Sequence, residues 1–319
     1  MRPPPERSAV SFGSRRSSPS SESGFVLIAT LVALAVLVAI VVEFVYRVHV
    51  ATARGSNFAQ VQRTALLAGK GVELAEEALK EMLKSGPNIA IEKDGLFFTA
   101  SEGDASVVVR VHDELGKASL RTVYPNGVKH GRAHPVFSRL LEGLGIKGRE
   151  GIEDALADWM DDDDQPRAYG AEGPEHYLRL KAPYEARNGY PGSLGEVLMI
   201  KGFSPEVLSA LKPFVSPYNT DGRVNVNTAT KEVLLALSEE MNEELASNLM
   251  RRRTERPFRD RSEIMKVPGF EKAGYALMDG IRVESRMFSV HSRASSGEVS
   301  TEIEAVFEIG KGVLYWRRL

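Results

Sequence analysis

Eighteen consecutive positions, residues 25–42 (FVLIATLVALAVLVAIVV), carry no charge, and no other stretch of the 319-residue chain matches them. As a helix this run measures about 27 Å, close to the roughly 30 Å of a bilayer core, so the pattern predicts one transmembrane helix. No proline occurs between Pro19 and Pro87, and nothing obliges the helix to stop at Val42. Val61, Ala65, Ala68, Val72, Ala75, Leu79 and Met82 step by threes and fours, which lays one apolar stripe along a continuation. Gly86 and Pro87 end it, giving a long N-terminal helix over residues 25–86, of which 25–42 span the membrane.

The period then changes from helical to alternating. Residues 96–100, 106–112 and 117–123 read as short strands with a turn at 114–116. Near the C-terminus, residues 287–292 form another, and Ile303, Ala305, Phe307 and Ile309 alternate with Glu302, Glu304 and Glu308, followed by 313–316. Between these blocks the pattern is helical, in segments 136–142, 152–159, 194–200, 205–215 and 231–237. The expected fold is α+β. A sheet domain built from 87–132 and 281–319 is interrupted by an all-helical insertion over 133–280.

Composition narrows the chemistry. With 41 basic and 43 acidic residues the formal charge is -2, which gives no general attraction to phosphate backbones. There is no cysteine, so disulfides and thiolate chemistry are excluded. Residues 1–23 are rich in Ser, Pro and Arg and are expected to be disordered. Arg2, Arg7, Arg15 and Arg16 within them favour a cytoplasmic N-terminus and place the chain beyond Val42 across the membrane. A cleavable secretory signal is the alternative, but no small-residue cleavage site ends the apolar run.

A basic leader, then Gly24-Phe25, then an apolar segment running into a long amphipathic helix, resembles the type IV pilin and pseudopilin family. The resemblance implies cleavage after Gly24 by a prepilin peptidase, removing leader residues 1–24, methylation of Phe25, and packing of 25–42 among other subunits. Most family members carry glutamate at the fifth mature position, where this chain has Ala29. That carboxylate is thought to neutralise the amino terminus of a neighbouring subunit, and a buried charge without a partner is costly. A subunit at the filament tip has no such neighbour. The chain is therefore similar to the minor pseudopilins of type II secretion known as the general secretion pathway protein K family, whose size comes from an insertion in the sheet.

The resemblance extends into the insertion. Asp158-Trp159-Met160-Asp161-Asp162-Asp163-Asp164-Gln165-Pro166-Arg167, followed by Gly170-Ala171-Glu172 and Tyr177, looks like that family's DWxDxDxxP and GAExxxY signatures. Five aspartates within seven residues, with Glu172 and Glu175 close behind, repel one another unless screened. A hard cation with oxygen ligands would relieve this, although the spacing is no EF-hand and a solvated acidic loop is the plain alternative. Calcium is what the resemblance implies. Asp161, Asp163 and Glu172 fit the family pattern as its ligands, with Asp158, Asp162, Asp164 and Glu175 as further candidates. Trp159 and Tyr177 are expected to be core anchors.

Residues 220–280 resemble helix-hairpin-helix modules, through Val224-Asn225-Val226-Asn227-Thr228-Ala229 and Val267-Pro268-Gly269-Phe270. A membrane-anchored DNA-binding protein of competence is thus a second reading. Its first turn, however, is Ser238-Glu239-Glu240-Met241, which lacks glycine and carries two negative charges, so no nucleic-acid partner is expected. Thr228 or Thr230 is expected to cap the next helix, and Arg251, Arg252 and Arg253 to form a solvated face. No catalytic group emerges: Gly143–Gly148 comes after a helix rather than a strand, the six histidines lack ligand spacing, and Ser193 has no nucleophile elbow.

The implied protein is a structural component of secretion at the pseudopilus tip, single-pass in the bacterial inner membrane, with its main domain periplasmic. Its implied partners are the other minor pseudopilins, the prepilin peptidase, and in addition secreted cargo and the outer-membrane channel. Mass spectrometry of the mature protein is expected to find methylated Phe25 at the N-terminus, and Gly24→Asp to leave the precursor uncut. A mature start beyond Val42 would instead identify an ordinary secretory signal.

Overall fold

A computed structural model of the chain describes residues 21–86, 95–121 and 135–319. Residues 1–20 of the leader and the expected strand positions 122–123 lie outside the described residues; the last leader residues, 21–24, are already helix rather than disordered, because the helix starts ahead of the apolar run. The chain divides into two units, residues 1–59 and 60–319. In the first, the described part is helix, belonging to α1 (Ser21–Ser85). Its side chains from Phe25 to Val42 are exposed throughout, and α1 is long and apolar enough to cross a membrane.

In the second unit the rest of α1 packs on a five-stranded antiparallel sheet. Its strands are β1 (Leu96–Glu102), β2 (Ala105–Asp113), β7 (Met287–Ser296), β8 (Val299–Glu308) and β9 (Gly312–Arg318), hydrogen-bonded in that order. Alternation puts Val107, Val109 and Val111 of β2 on one face, where they meet Ala68, Val72, Ala75 and Leu79 of α1 and Val290, Ala305 and Phe307 of the sheet. The predicted stripe thus holds in its middle. Val61 and Ala65 are half-buried, and Met82 is exposed, its place taken by Leu83. Thr64 completes the contact at the other end through a buried hydroxyl pair with Thr301, 2.8 Å.

At Gly71 the helix backbone comes close to the sheet. A Cβ there would stand 2.2 Å from Ser292 Oγ and 2.9 Å from Val109 Cγ2. Gly69, two residues earlier, has open space around it.

Between β2 and β7 the chain leaves the sheet, and the insertion differs from the expected all-helical body in two ways. First, it starts earlier than residue 133. The segment expected as a third sheet strand is only β3 (Ala118–Ser119), which pairs in parallel with β4 (Val215–Ser216) rather than joining the sheet. Ala118 and Leu120 are buried in the insertion's own core, because their apolar partners are there. Second, the insertion has two cores. One gathers α2 (Pro135–Gly143), α3 (Arg149–Met160) and α4 (Pro205–Leu211) with the loops between them, around Phe137, Leu141, Leu156, Trp159 and Tyr177. The other gathers α5 (Lys231–Ala236), α6 (Glu243–Glu255) and α7 (Phe270–Leu277) around Leu234, Leu249, Phe258 and Phe270. A second parallel pair, β5 (Val224–Asn225) with β6 (Ile281–Arg282), closes this half.

Local signals explain the element ends. Ser204 caps α4 by accepting from Val207 N, and the helix stops at Leu211, short of the predicted 215, with Pro213 close behind. Residues 194–200 contain only a 3-10 turn, Glu196–Met199. Thr230, not Thr228, caps α5.

Thr228 serves another purpose. Its hydroxyl donates to Asp113 Oδ2 at 2.6 Å, where Asn225 Nδ2 also donates at 2.8 Å. The other Asp113 oxygen accepts from Leu115 N at 2.8 Å and from the Ser285 hydroxyl. Burial raises the Asp113 carboxyl above its ordinary range while these four donors pull it back. One buried carboxylate thereby joins the end of β2, the end of β5 with the turn after it, and the return to β7.

The Gly71 contact is testable with the full chain in detergent. Gly71→Val overfills the helix–sheet contact and is expected to cost about 1–3 kcal/mol in urea unfolding. Gly69→Ala, which adds a methyl to open space and removes helix-interior glycine, is expected to gain up to about 1 kcal/mol.

Candidate functional site

The acidic stretch begins inside α3. Asp158 sits in its last turn and Asp161 is the C-cap residue with extended backbone, so the chain turns away from the helix between two carboxylates. Both are buried, as is Glu172 on the returning loop. Arg167 lies among them. Its Nη1 donates to Asp158 Oδ1 and to Asp161 Oδ2, each at 2.7 Å. Asp158 also accepts from the backbone N–H groups of Arg167 and Ala171, the latter at 2.8 Å. Gly170 is required for this wrap, since a Cβ there would fall 1.8 Å from Asp158 Oδ2.

Glu172 is left over. Both its carboxylate oxygens are buried without a hydrogen-bond partner, and so is Asp161 Oδ1. Burial, with the charges of Asp158 and Asp161 adding to it, pushes the Glu172 carboxyl up to about 8. The Gly173 amide offsets part of this without reaching hydrogen-bond geometry. Burial raises Asp158 and Asp161 as well, with Arg167 opposing it.

The remaining acidic candidates lie nearer the solvent. Asp162, Asp164 and Glu175 are exposed. Asp163 is half-buried and accepts from Gln165 N at 2.9 Å, bracing the loop. The structure therefore gathers Asp158, Asp161 and Glu172, whereas the sequence pattern favoured Asp161, Asp163 and Glu172. Among the described residues no three carboxylate or imidazole groups close on one point as a ready metal cage. The sequence pattern gave Arg167 no role. The available signal was a lone guanidinium within a run of carboxylates.

Behind the loop, Trp159 and Tyr177 are the core anchors expected of them. Their rings meet edge to face at 5.4 Å, Tyr177 stacks on Tyr184 at 5.3 Å, and Tyr177 Oη accepts from Lys201 N. Trp159 Nε1 reaches Glu196 Oε1 at 3.3 Å.

The helix-hairpin-helix-like half uses its polar residues internally. Asn227 is buried, donates to Phe258 O and Val283 O, and accepts from Phe258 N. Arg253, expected on a solvated face, is buried instead. It donates to Val226 O at 2.8 Å and Ala229 O at 2.7 Å, and burial lowers it to about 10. Arg252 lies over the Phe258 ring. In the turn that would face a phosphate, Glu239 is almost fully exposed, so the surface there is acidic. At the other end of the chain, Gly24 and Phe25 lie on exposed helix.

Comparisons with known proteins agree with this anatomy. Two family models, each described as type II secretion system (T2SS), protein K, match residues 116–220 and 224–284, together just over half of the chain. Each match coincides with one core of the insertion. The type II secretion system protein K of Pseudomonas aeruginosa is 29% identical over 311 residues, covering 91% of this chain and 90% of that protein. That of Aeromonas hydrophila is 25% identical, covering 91% and 94%. A chain in the crystal structure of the GspK-GspI-GspJ complex from enterotoxigenic Escherichia coli superposes with a TM-score of 0.70 at 19% identity, covering 83% of this chain and 99% of that one. None of these supports the DNA-binding alternative.

Arg167 is the countercharge of the buried carboxylates. Arg167→Met leaves Asp158 and Asp161 buried without it and is expected to cost about 3–5 kcal/mol in urea unfolding of the calcium-free protein.

Proposed function

The chain belongs to the type II secretion system protein K family and is a minor pseudopilin of that system; from this premise we propose that it caps the tip of the secretion pseudopilus. The observation that carries the tip assignment is Ala29. Residues 25–42 contain no carboxylate to meet the amino terminus of a preceding subunit, so the chain is suited to a place where no subunit precedes it. The insertion supports the same reading. It adds mass to the sheet domain.

In this reading Gly24 and Phe25 are the peptidase cleavage and methylation positions, α1 is the single-pass anchor, and the head is periplasmic. The partners are the other minor pseudopilins, with exported cargo and the outer-membrane channel as further contacts. The role is assembly, without chemistry on a substrate. The full chain is expected to co-purify with the other minor pseudopilins of its cell. An Ala29→Glu variant is expected to leave secretion level or lower it. Incorporation of that variant along the filament with improved secretion would overturn the capping role.

The donors of the acidic loop are of the chemistry calcium takes, and binding it would require them to draw together from their ion-free positions. Asp158, Asp161 and Glu172 are all-oxygen ligands, and three of their oxygens are buried without partners. When bound, the ion would supply the positive charge that Arg167 now gives to only two of the three. Arg167 keeps the loop folded without the ion and competes with it.

Calcium at 100 times its dissociation constant is expected to stabilise the fold by about 2.7 kcal/mol, read as a rise in melting temperature, and magnesium to do less. An Asp161→Ala, Glu172→Ala double variant is expected to lose that response. Equal gains in variant and wild type from both ions would reduce the loop to a solvated acidic surface.

A further inference from the structure

On the sheet face opposite α1, the insertion makes close contact through Leu115, Tyr218, Met287 and Val306. Beside that contact a cavity of about 740 Å³ remains between sheet and insertion. The sheet contributes Arg110 and His112 from β2 and His291 from β7. The insertion contributes Lys212 and Phe214, just past α4. Lys117 and Phe97 complete the parts that matter.

The charges in this cavity select the sign of a ligand. Two imidazoles with ring centroids 6.2 Å apart, edge to face, suggest a metal at first sight. Three cations line the same space, however, and work against one. Burial, then Lys117, His291 and Arg110, lowers His112 to about 4 against an opposing pull from Glu114. His291 is lowered by burial, Lys212 and Lys117, while Glu304 and Glu302 pull it upward.

Glu302 and Glu304 approach His291 at 3.8 and 3.6 Å, on the side away from Arg110's β2, and the other carboxylates are already engaged. Glu114 holds Lys117 at 2.6 Å, Glu304 holds Lys212 at 3.2 Å, and Asp113 takes its four internal donors. An anion entering the cavity would meet the Arg110 guanidinium, the lysines Lys117 and Lys212 with N–H groups beyond those their carboxylates hold, and two neutral imidazoles able to donate N–H.

The walls also have an apolar component. The Arg110 guanidinium lies over the Phe97 ring, 5.9 Å from its centroid, and Phe214 faces the same space from the insertion. The volume is that of a small organic ligand or two to three peptide residues.

We propose that this cleft binds a carboxylate carried on an apolar residue, as at the C-terminus of a peptide, with Arg110 and Lys212 taking the carboxylate and Phe97 and Phe214 the side chain. The site stands apart from the acidic loop and needs no calcium.

The test uses the full chain in detergent with labelled histidine, titrated with N-acetyl-Leu-Phe as the free acid and as its C-terminal amide. The acid is expected to move the His112 and His291 resonances saturably, at least tenfold more tightly than the amide. Its affinity should weaken with salt. Arg110→Gln with Lys212→Gln is expected to weaken it at least tenfold with the fold intact. Should the double variant unfold, Arg110→Gln alone serves, since that side chain is exposed. Equal affinity for acid and amide, no shift with either, or undiminished binding by the variants would each overturn the proposal. Tighter binding of 3-phenylpropionate than of the dipeptide would assign the cleft to free organic acids and overturn the peptide assignment.

Discussion

Asp113 is the residue on which the two halves of the head depend. It ends β2, and its carboxylate is fully buried where the sheet strand gives way to the insertion. A carboxylate in that position is unfavourable unless every lone pair is used. Here the donors come from Leu115 next along the chain, from Asn225 and Thr228 more than a hundred residues later, and from Ser285 where the chain returns. Removing any one leaves the others facing an under-solvated charge, so the junction forms as a set. Backbone around a buried junction would otherwise have few partners.

The same logic recurs one layer further in. Asn227 ties the second core to the residues just before β7 through Val283, and Arg253 satisfies two carbonyls of the segment that precedes α5. These are the polar residues of a stretch that resembles a nucleic-acid-binding module. In this chain they face inward, because the carbonyls and amides they serve lie in loops rather than in helix or strand. A fold of short helices leaves many such groups, and side chains must meet them.

Periodicity made the long helix, the five strands and the helical character of the insertion legible, because each rests on a repeating apolar face. Legibility stopped where partners were distant in sequence. Residues 117–123 have strand composition, but the partner of Ala118–Ser119 is Val215–Ser216, which no local pattern announces. The stripe on α1 was misplaced at Met82, since Leu83 is equally apolar and only packing chooses between them. In the acidic loop the motif was plain and the arrangement was not. Asp158 and Asp163 are both carboxylates in one run, yet a helix buries the first and a turn braces the second. Arg167 was visible as a residue but not as a countercharge, because its reach depends on how the loop folds back over Gly170.

The order of strands has a mechanical consequence. β2 and β7 are hydrogen-bonded neighbours, with Asp113 paired to Phe288, although the whole insertion separates them along the chain. Both of its attachments therefore lie at one end of adjacent strands. A pull transmitted along the part of α1 that packs on the sheet is borne by its contacts with β2, β7 and β8 and by the long ladders joining those strands. The insertion lies outside that load path. It can deform, or be gripped by something else, without tension on α1 passing through it.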